Sequence, residues 1–272
     1  LKGFGEKRII YEEDMISAGE LRRIREKAPD KEFCEGQKKI NLPRRIKDKN
    51  EIKLIAEAER IGDEAFSYIL DRIKAGVTER EIALELEFFM KKCGASALSF
   101  ETIAASGKRS AMPHGTASSK KIENGDFLTL DFGCVFNGYC SDMTRTVVVG
   151  RADDRQKEIY NTVLKAQTAA LDALKSGKRC SDIDALSRGI ITDAGYGKNF
   201  GHGLGHSVGI EIHEAPTLSP KCSDLLEEGH VITVEPGIYI EDFGGVRIED
   251  LAVITADGIE NLTHSPKELT EL

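Results

Sequence analysis

Gly125-Asp126-Phe127-Leu128-Thr129-Leu130-Asp131-Phe132-Gly133 and Gly229-His230-Val231-Ile232-Thr233-Val234-Glu235-Pro236-Gly237 are one nine-residue pattern written twice, 104 positions apart. Each copy is a turn glycine, an apolar strand-like run, a carboxylate and a second glycine. Upstream, Lys74-Ala75-Gly76 with Ile82 and Gly94 recurs 101 positions on as Lys175-Ser176-Gly177, Ile183 and Gly195. Helix-like spacing precedes each copy: Ile52, Ile55, Ala56, Ile61, Ala65, Ile69 and Ile73 form one apolar stripe. Thr78 with Glu81 opens a second helix as a capping box, and Cys93-Gly94 ends it. The strands read as Phe127 to Phe136, Tyr139 to Val149, Val231 to Ile240 and Val246 to Ile254. Internal repetition of helix, helix and strands predicts an α+β fold of two halves, each a helix pair on an antiparallel sheet, with a cleft at their pseudo-two-fold.

Composition agrees. The 272 residues are 40% hydrophobic and 31% charged, which excludes a disordered tail or a membrane protein. A net charge of −8 without a long basic run argues against nucleic-acid binding. No apolar run approaches the ~20 residues of a membrane helix. Leu1 to Glu6 do not read as a secretion signal, and a chain opening on Leu reads as trimmed or processed. Six cysteines without a CxxC pair read as reduced thiols and predict a cytoplasmic protein. Residues 1–50 hold 14 Lys and Arg against 10 Asp and Glu, whereas the rest of the chain is acidic. With a strand-like run at Arg8 to Tyr11, a helix-like stretch around Glu20 to Lys27 and little apolar content, residues 1–47 look like a different piece from residues 48–272.

Asn137-Gly138 between alternating strands is a two-residue hairpin signal. It pairs Gly133 with Asp142, so Asp131 becomes the diagonal neighbour of Asp142 on the same face, within reach of one ion or simply as two exposed acids. The second half supplies Glu235 at the position of Asp131, and Glu249 near the equivalent of Asp142. Three of the six histidines, His202, His206 and His213, fall within twelve residues among glycines. Four carboxylates with histidines on one cleft make a dinuclear metal composition. His213-Glu214 does not continue into HExxH, so this is not a zincin helix.

At these residues the sequence resembles the pita-bread-fold metallopeptidases, in the proline-peptidase branch of aminopeptidase P and prolidase. The resemblance runs from about Asp48 to Leu262, through Asp131-Phe132-Gly133, Ser141 to Thr146, His202 to Glu214, Glu235 to Tyr239 and Gly245 to Asp250. It implies five metal ligands: Asp142 and Glu249 bridging two ions, Asp131 completing one, and His206 with Glu235 completing the other. It further implies a water or hydroxide between the ions as nucleophile, Glu235 as proton shuttle, and His114 and His213 as donors to the developing oxyanion. His202 and Arg247 separate this branch from methionine aminopeptidases. Arg247 suits a substrate carboxylate or the carbonyl beyond proline, and alternatively serves as partner of the metal carboxylates.

The oxygen-rich set favours manganese first, with cobalt, iron or zinc as alternatives. The expected substrate is a peptide with proline at the second position, cleaved as an Xaa-Pro aminopeptidase or Xaa-Pro dipeptidase. Rival readings are a methionine aminopeptidase-type enzyme, a metal-free amidinohydrolase resembling creatinase, and a non-catalytic peptide- or protein-binding relative. The resemblance makes residues 1–47 the remnant of an N-terminal domain plus linker. Homodimers in the family use that domain, which is largely missing here.

Overall fold

The computed structural model describes residues 5–272, so the reading of Leu1 to Glu6 lies mostly outside it. Residues up to Arg45 form one compact unit and Ile46–Leu272 a second. In the first, strands Arg8–Tyr11 and Glu32–Glu35 pair in parallel, with helix Ala18–Lys27 as their crossover and helix Gln37–Arg45 after them. Two strands stand where the sequence suggested one.

The duplication governs the second unit. Helices Lys49–Leu70 and Glu79–Lys92 open its first half, and Asp154–Ala173 and Cys180–Asp193 its second. The shorter helix of each pair has 14 residues, and the two are offset by the 101 positions seen in the sequence. Thr78 and Glu81 form the expected capping box, whereas the second copy begins at Arg179 without a side-chain cap. Gly76 and Gly177, at φ +95° and +83°, take the left-handed turn between paired helices that a side chain would strain. Each pair buries its apolar stripe on its own sheet: Ile61, Ala65, Phe66 and Ile69 against Leu128, Leu130 and Phe132, and Ile159, Val163 and Ala170 against Ile232 and Val234. Full burial of one such large side chain contributes about 1.5–3 kcal/mol, so these two clusters hold the halves in shape.

In the first half, Phe127–Phe132 pairs antiparallel with Met143–Val148. The same register resumes beyond a gap as Cys134–Phe136 against Tyr139–Cys140, closed by Asn137 and Gly138, both at positive φ. In the second half, Val231–Val234 pairs with Asp250–Ile254, and Gly237–Ile240 with Gly244–Arg247. The strands expected to be continuous are therefore each interrupted, at Gly133, Ser141-Asp142, Glu235-Pro236 and Ile248-Glu249. Two local causes are visible. A Cβ on Gly133 would lie 2.0 Å from the Ser141 carbonyl oxygen, and Pro236 has no N–H for the ladder.

Register also corrects one expectation. Val234 opposes Asp250 and Gly237 opposes Arg247, so Glu249 stands directly across from Glu235. In the first half the residue across from Asp131 is Thr144. Glu249 is thus the counterpart of Thr144, and Arg247 that of Asp142. The two counterparts meet on the pseudo-axis, where the Thr144 hydroxyl donates to Glu249 Oε2 at 2.6 Å.

Candidate metal centre

The interrupted strands aim their carboxylates into a cleft of about 560 Å³. Its walls include all nine residues singled out in the sequence: His114, Asp131, Asp142, His202, His206, His213, Glu235, Arg247 and Glu249. Asp142, His206 and Glu249 can each offer a ligand atom within 4.8 Å of the others. Asp142 and Glu249 are nearly fully buried, at 5% and 1% exposure.

Electrostatics makes this cluster unstable by itself. Burial, reinforced by the facing carboxylates, raises Asp142 and Glu249 well above their ordinary range. Burial, opposed by Arg247 and aided by Asp131, pushes Glu235 up to about 8. Asp131 Oδ1 and Glu249 Oε1 are buried without a hydrogen-bond partner. His206 contributes a third kind of orphan. Its Nδ1 lies 3.1 Å from the Ser207 carbonyl, which can only accept, so the ring's N–H is on Nδ1. Burial and then His213 lower the ring's pKa to about 4, leaving it neutral at pH 7. The bare Nε2 lone pair then faces Asp142 Oδ2 and Glu235 Oε1, each at 3.4 Å. A proton or a cation must stand between that lone pair and these carboxyl groups, and oxygen and nitrogen donors converging on one cavity fit divalent ions.

Arg247 is 3% exposed and its guanidinium is committed. It donates to Thr144 Oγ1 at 3.0 Å, the Pro113 carbonyl at 3.2 Å, the Tyr239 hydroxyl at 2.8 Å and Asp131 Oδ2 at 2.5 Å. Burial alone would lower its pKa, but Tyr239, Asp131 and Glu235 outweigh that and raise it. The chain of donors continues: Tyr239, accepting from Arg247, donates to His202 Nε2 at 2.9 Å, while His202 Nδ1 donates to the Gly203 carbonyl at 2.8 Å. Burial, then Arg247, lowers His202 to about 4, which keeps Nε2 an acceptor. Arg247 is thus a direct partner of Asp131, one of the carboxylates lining the cleft.

His213 packs edge-on against His206 with ring centroids 4.4 Å apart, and His114 follows Pro113, whose carbonyl Arg247 holds. The sequence does not single out several contributors. Tyr239 lies inside the stretch from Glu235 to Tyr239. Thr144 donates to Glu249 from the other half, and Thr233 donates to Glu235 from two residues earlier in the chain. Glu59, fully buried and pushed up to about 8 by burial, accepts from the Asp142 backbone N–H at 3.3 Å and from the Thr263 hydroxyl at 2.6 Å. Its place on the apolar face of a helix, between Ala58 and Ile61, was the one available signal.

Comparison with known proteins agrees with this site. The family described as metallopeptidase family M24 matches residues 53–256. An Xaa-Pro dipeptidase of Pyrococcus horikoshii is 46% identical over 257 residues, covering 94% of this chain and 73% of that protein. The solved structure of an Xaa-Pro dipeptidase from Bacillus anthracis superposes with a TM-score of 0.96 at 50% identity, covering 98% of this chain and 75% of that one. That of an X-Pro aminopeptidase from Thermotoga maritima MSB8 gives 0.94 at 42% identity, covering 98% and 75%.

Proposed function

The chain belongs to metallopeptidase family M24, a peptidase with the pita-bread fold whose family implies divalent metal ions, and we propose that it is a dinuclear exopeptidase cleaving between an N-terminal residue and proline. The observation that carries the reading is the cluster of Asp142, His206 and Glu249 beside the unpartnered oxygens of Asp131 and Glu249. Similarity to an Xaa-Pro dipeptidase and an X-Pro aminopeptidase supports proline as the second residue.

In this reading Asp131, Asp142, His206, Glu235 and Glu249 would hold two divalent ions. When bound, the ions would supply Lewis-acid activation of a water for attack on the scissile carbonyl. Glu235 carries a proton to the leaving proline nitrogen. His114 and His213 donate hydrogen bonds to the carbonyl oxygen as it gains charge, a contribution of about 10²–10³ in rate per donor. Arg247 orients Asp131 and, through Tyr239, His202, so that this face of the cleft stays rigid while the substrate's proline end lies against it. The oxygen-rich donors favour manganese, then cobalt, iron or zinc.

In the same reading residues 1–47 are N-terminal domain and linker, apart from the catalytic residues 48–272, and the protein is a homodimer. A cytoplasmic location accords with six cysteines of which none is in a disulfide. Among the described residues no helix is long and apolar enough to cross a membrane.

The test is to measure bound metal, add Mn²⁺ and compare Ala-Pro, Ala-Pro-Ala and Met-Ala-Ser as substrates. Cleavage of the dipeptide above the tripeptide marks a dipeptidase, and the reverse order an aminopeptidase. Cleavage of Met-Ala-Ser alone would overturn the proline assignment.

A further inference from the structure

Lys47 is the one buried lysine among the described residues, at 4% exposure, and it lies on neither helix nor strand. A buried ammonium is retained only against a well-placed anion. Here the anion is Glu214. Lys47 Nζ lies 3.0 Å from Glu214 Oε2, and the two side chains are 2% and 6% exposed. The lysine's own backbone is anchored, its N–H donating to the Gly229 carbonyl at 2.9 Å in the turn before Val231–Val234, the strand that leads into Glu235.

Glu214 is the residue after His213 and the first of strand Glu214–Leu218. Its second oxygen, Oε1, accepts the Glu211 backbone N–H at 3.1 Å, closing the loop back on itself. The carboxylate sits so tightly over Gly209 that a Cβ there would come within 2.7 Å of Oε2 and 2.8 Å of Oε1. Gly209 in turn accepts the Cys140 N–H at 2.8 Å, tying the loop to the strand that leads to Asp142. Strand pairing gives this loop little support, because the ladder to Gly205–Ser207 shifts register between Glu214 and Thr217. Ile212 and His213, at the loop's end, line the cleft.

We propose that Lys47 is a positioning residue for His213, latching through Glu214 the loop that presents this histidine to the scissile carbonyl. The inference rests on the reading of His213 as an oxyanion donor. It gives a residue of the connection preceding helix Lys49–Leu70, more than 160 positions away in sequence, a role in the chemical step. A small displacement of a donor is costly because its hydrogen bond must form to the transition state, not merely to the substrate.

The experiment uses the full chain loaded with Mn²⁺ and an Ala-Pro substrate of the preferred length, with Lys47→Met, Lys47→Arg, His213→Ala and the Lys47→Met/His213→Ala double variant. Lys47→Met is expected to lower kcat by about 10-fold with KM within about twofold, and Lys47→Arg to restore kcat to within about threefold of the parent. In the His213→Ala background, Lys47→Met should cost less than about twofold, since the group it positions is gone. Independently of activity, hydrogen exchange of the metal-free Lys47→Met protein should rise at residues 209–214 and stay unchanged in helix Asp154–Ala173. A full tenfold cost persisting without His213, or exchange rising uniformly along the chain, would show a general structural role and overturn the inference. Wild-type kcat in His213→Ala alone would instead overturn the assignment of His213 itself. Should Lys47→Met fail to fold, Glu214→Gln, which keeps the shape and an acceptor for Glu211, is expected to lower kcat by about threefold in the parent and to have no effect in the His213→Ala background; wild-type kcat in Glu214→Gln would overturn the inference.

Discussion

Three carboxylates of the cleft, Asp142, Glu235 and Glu249, hold protons in the metal-free chain well above the range where unfolded carboxylates release them. At these three groups the native state therefore binds more protons than the unfolded one, and their contribution to stability is greatest in acid and declines as pH rises through about 8, the value to which Glu235 is pushed. Divalent ions bound among these acids would replace those protons. Adding Mn²⁺ should accordingly raise the melting temperature more at pH 8 than at pH 5.5, by about 5 °C or more for a chain of this size. An equal gain at both values in a thermal scan would show that the ions do not sit among these acids. Tyr239 permits a cleaner substitution, because its hydroxyl links Arg247 to His202 without touching the cluster of Asp142, His206 and Glu249. Tyr239→Phe should lower kcat by about 10-fold and stability by about 1–2 kcal/mol in urea unfolding. Wild-type kcat would refute the orienting role of this relay. The carboxylates were readable in the sequence since they recur with the duplication, whereas Tyr239, Glu59 and Lys47 act through partners 8 to more than 160 positions away that no local period announces.

At the scale of strands and turns, the site is made by interruption. At Ser141-Asp142 and Ile248-Glu249 the regular ladder stops and the backbone N–H groups take other partners: Ser141 the Cys134 carbonyl, Asp142 the Glu59 carboxylate, Ile248 the Pro236 carbonyl and Glu249 the Thr144 carbonyl of the other half. Gly133 sets one break, because its backbone passes against Ser141 between Asp131 and Asp142. Gly133→Ala should therefore abolish the metal-induced rise in melting temperature along with activity. Gly138→Ala, at the exposed hairpin tip with φ +88° and open space around it, should cost about 1 kcal/mol and leave the metal response intact. Equal metal responses in the two variants, read by thermal scans with and without Mn²⁺, would detach Gly133 from the site. Strand partners and hairpin register were legible from Asn137-Gly138 and the alternating apolar residues. The breaks are less legible: Gly133 and Pro236 mark two of them, whereas Ser141-Asp142 and Ile248-Glu249 carry no breaker residue. The same limit hid the true partner of Glu235: only pairing of the flanking residues reveals that Glu249 stands where Thr144 stands in the first half.

Across the whole molecule, the two repeats contribute unevenly to the proposed ligand set. Asp131 and Asp142 come from the first half, and His206, Glu235 and Glu249 from the second. The position equivalent to Asp142 is Arg247, a cation that binds back to Asp131 across the axis. In the proposed site neither half has all five donors, so ion binding would join the halves as well as equip the site. Other ties across the axis are both polar, Thr144 to Glu249, Thr146 to the Arg247 carbonyl and Arg145 to Asp250, and apolar, Ile55 and Cys140 packing with Val208, Val231, Leu251 and Val253. Polar contacts of this kind contribute about 0.5–1.5 kcal/mol each, and ions held by both halves would add to that coupling at the cleft. Chelation is therefore expected to increase amide exchange in residues 127–148 and 231–254 together and by similar factors, with the helices that cover each sheet responding less. Exchange that rises in one strand set alone would mean that the ions belong to that half, and the bridging roles of Asp142 and Glu249 would fall with it.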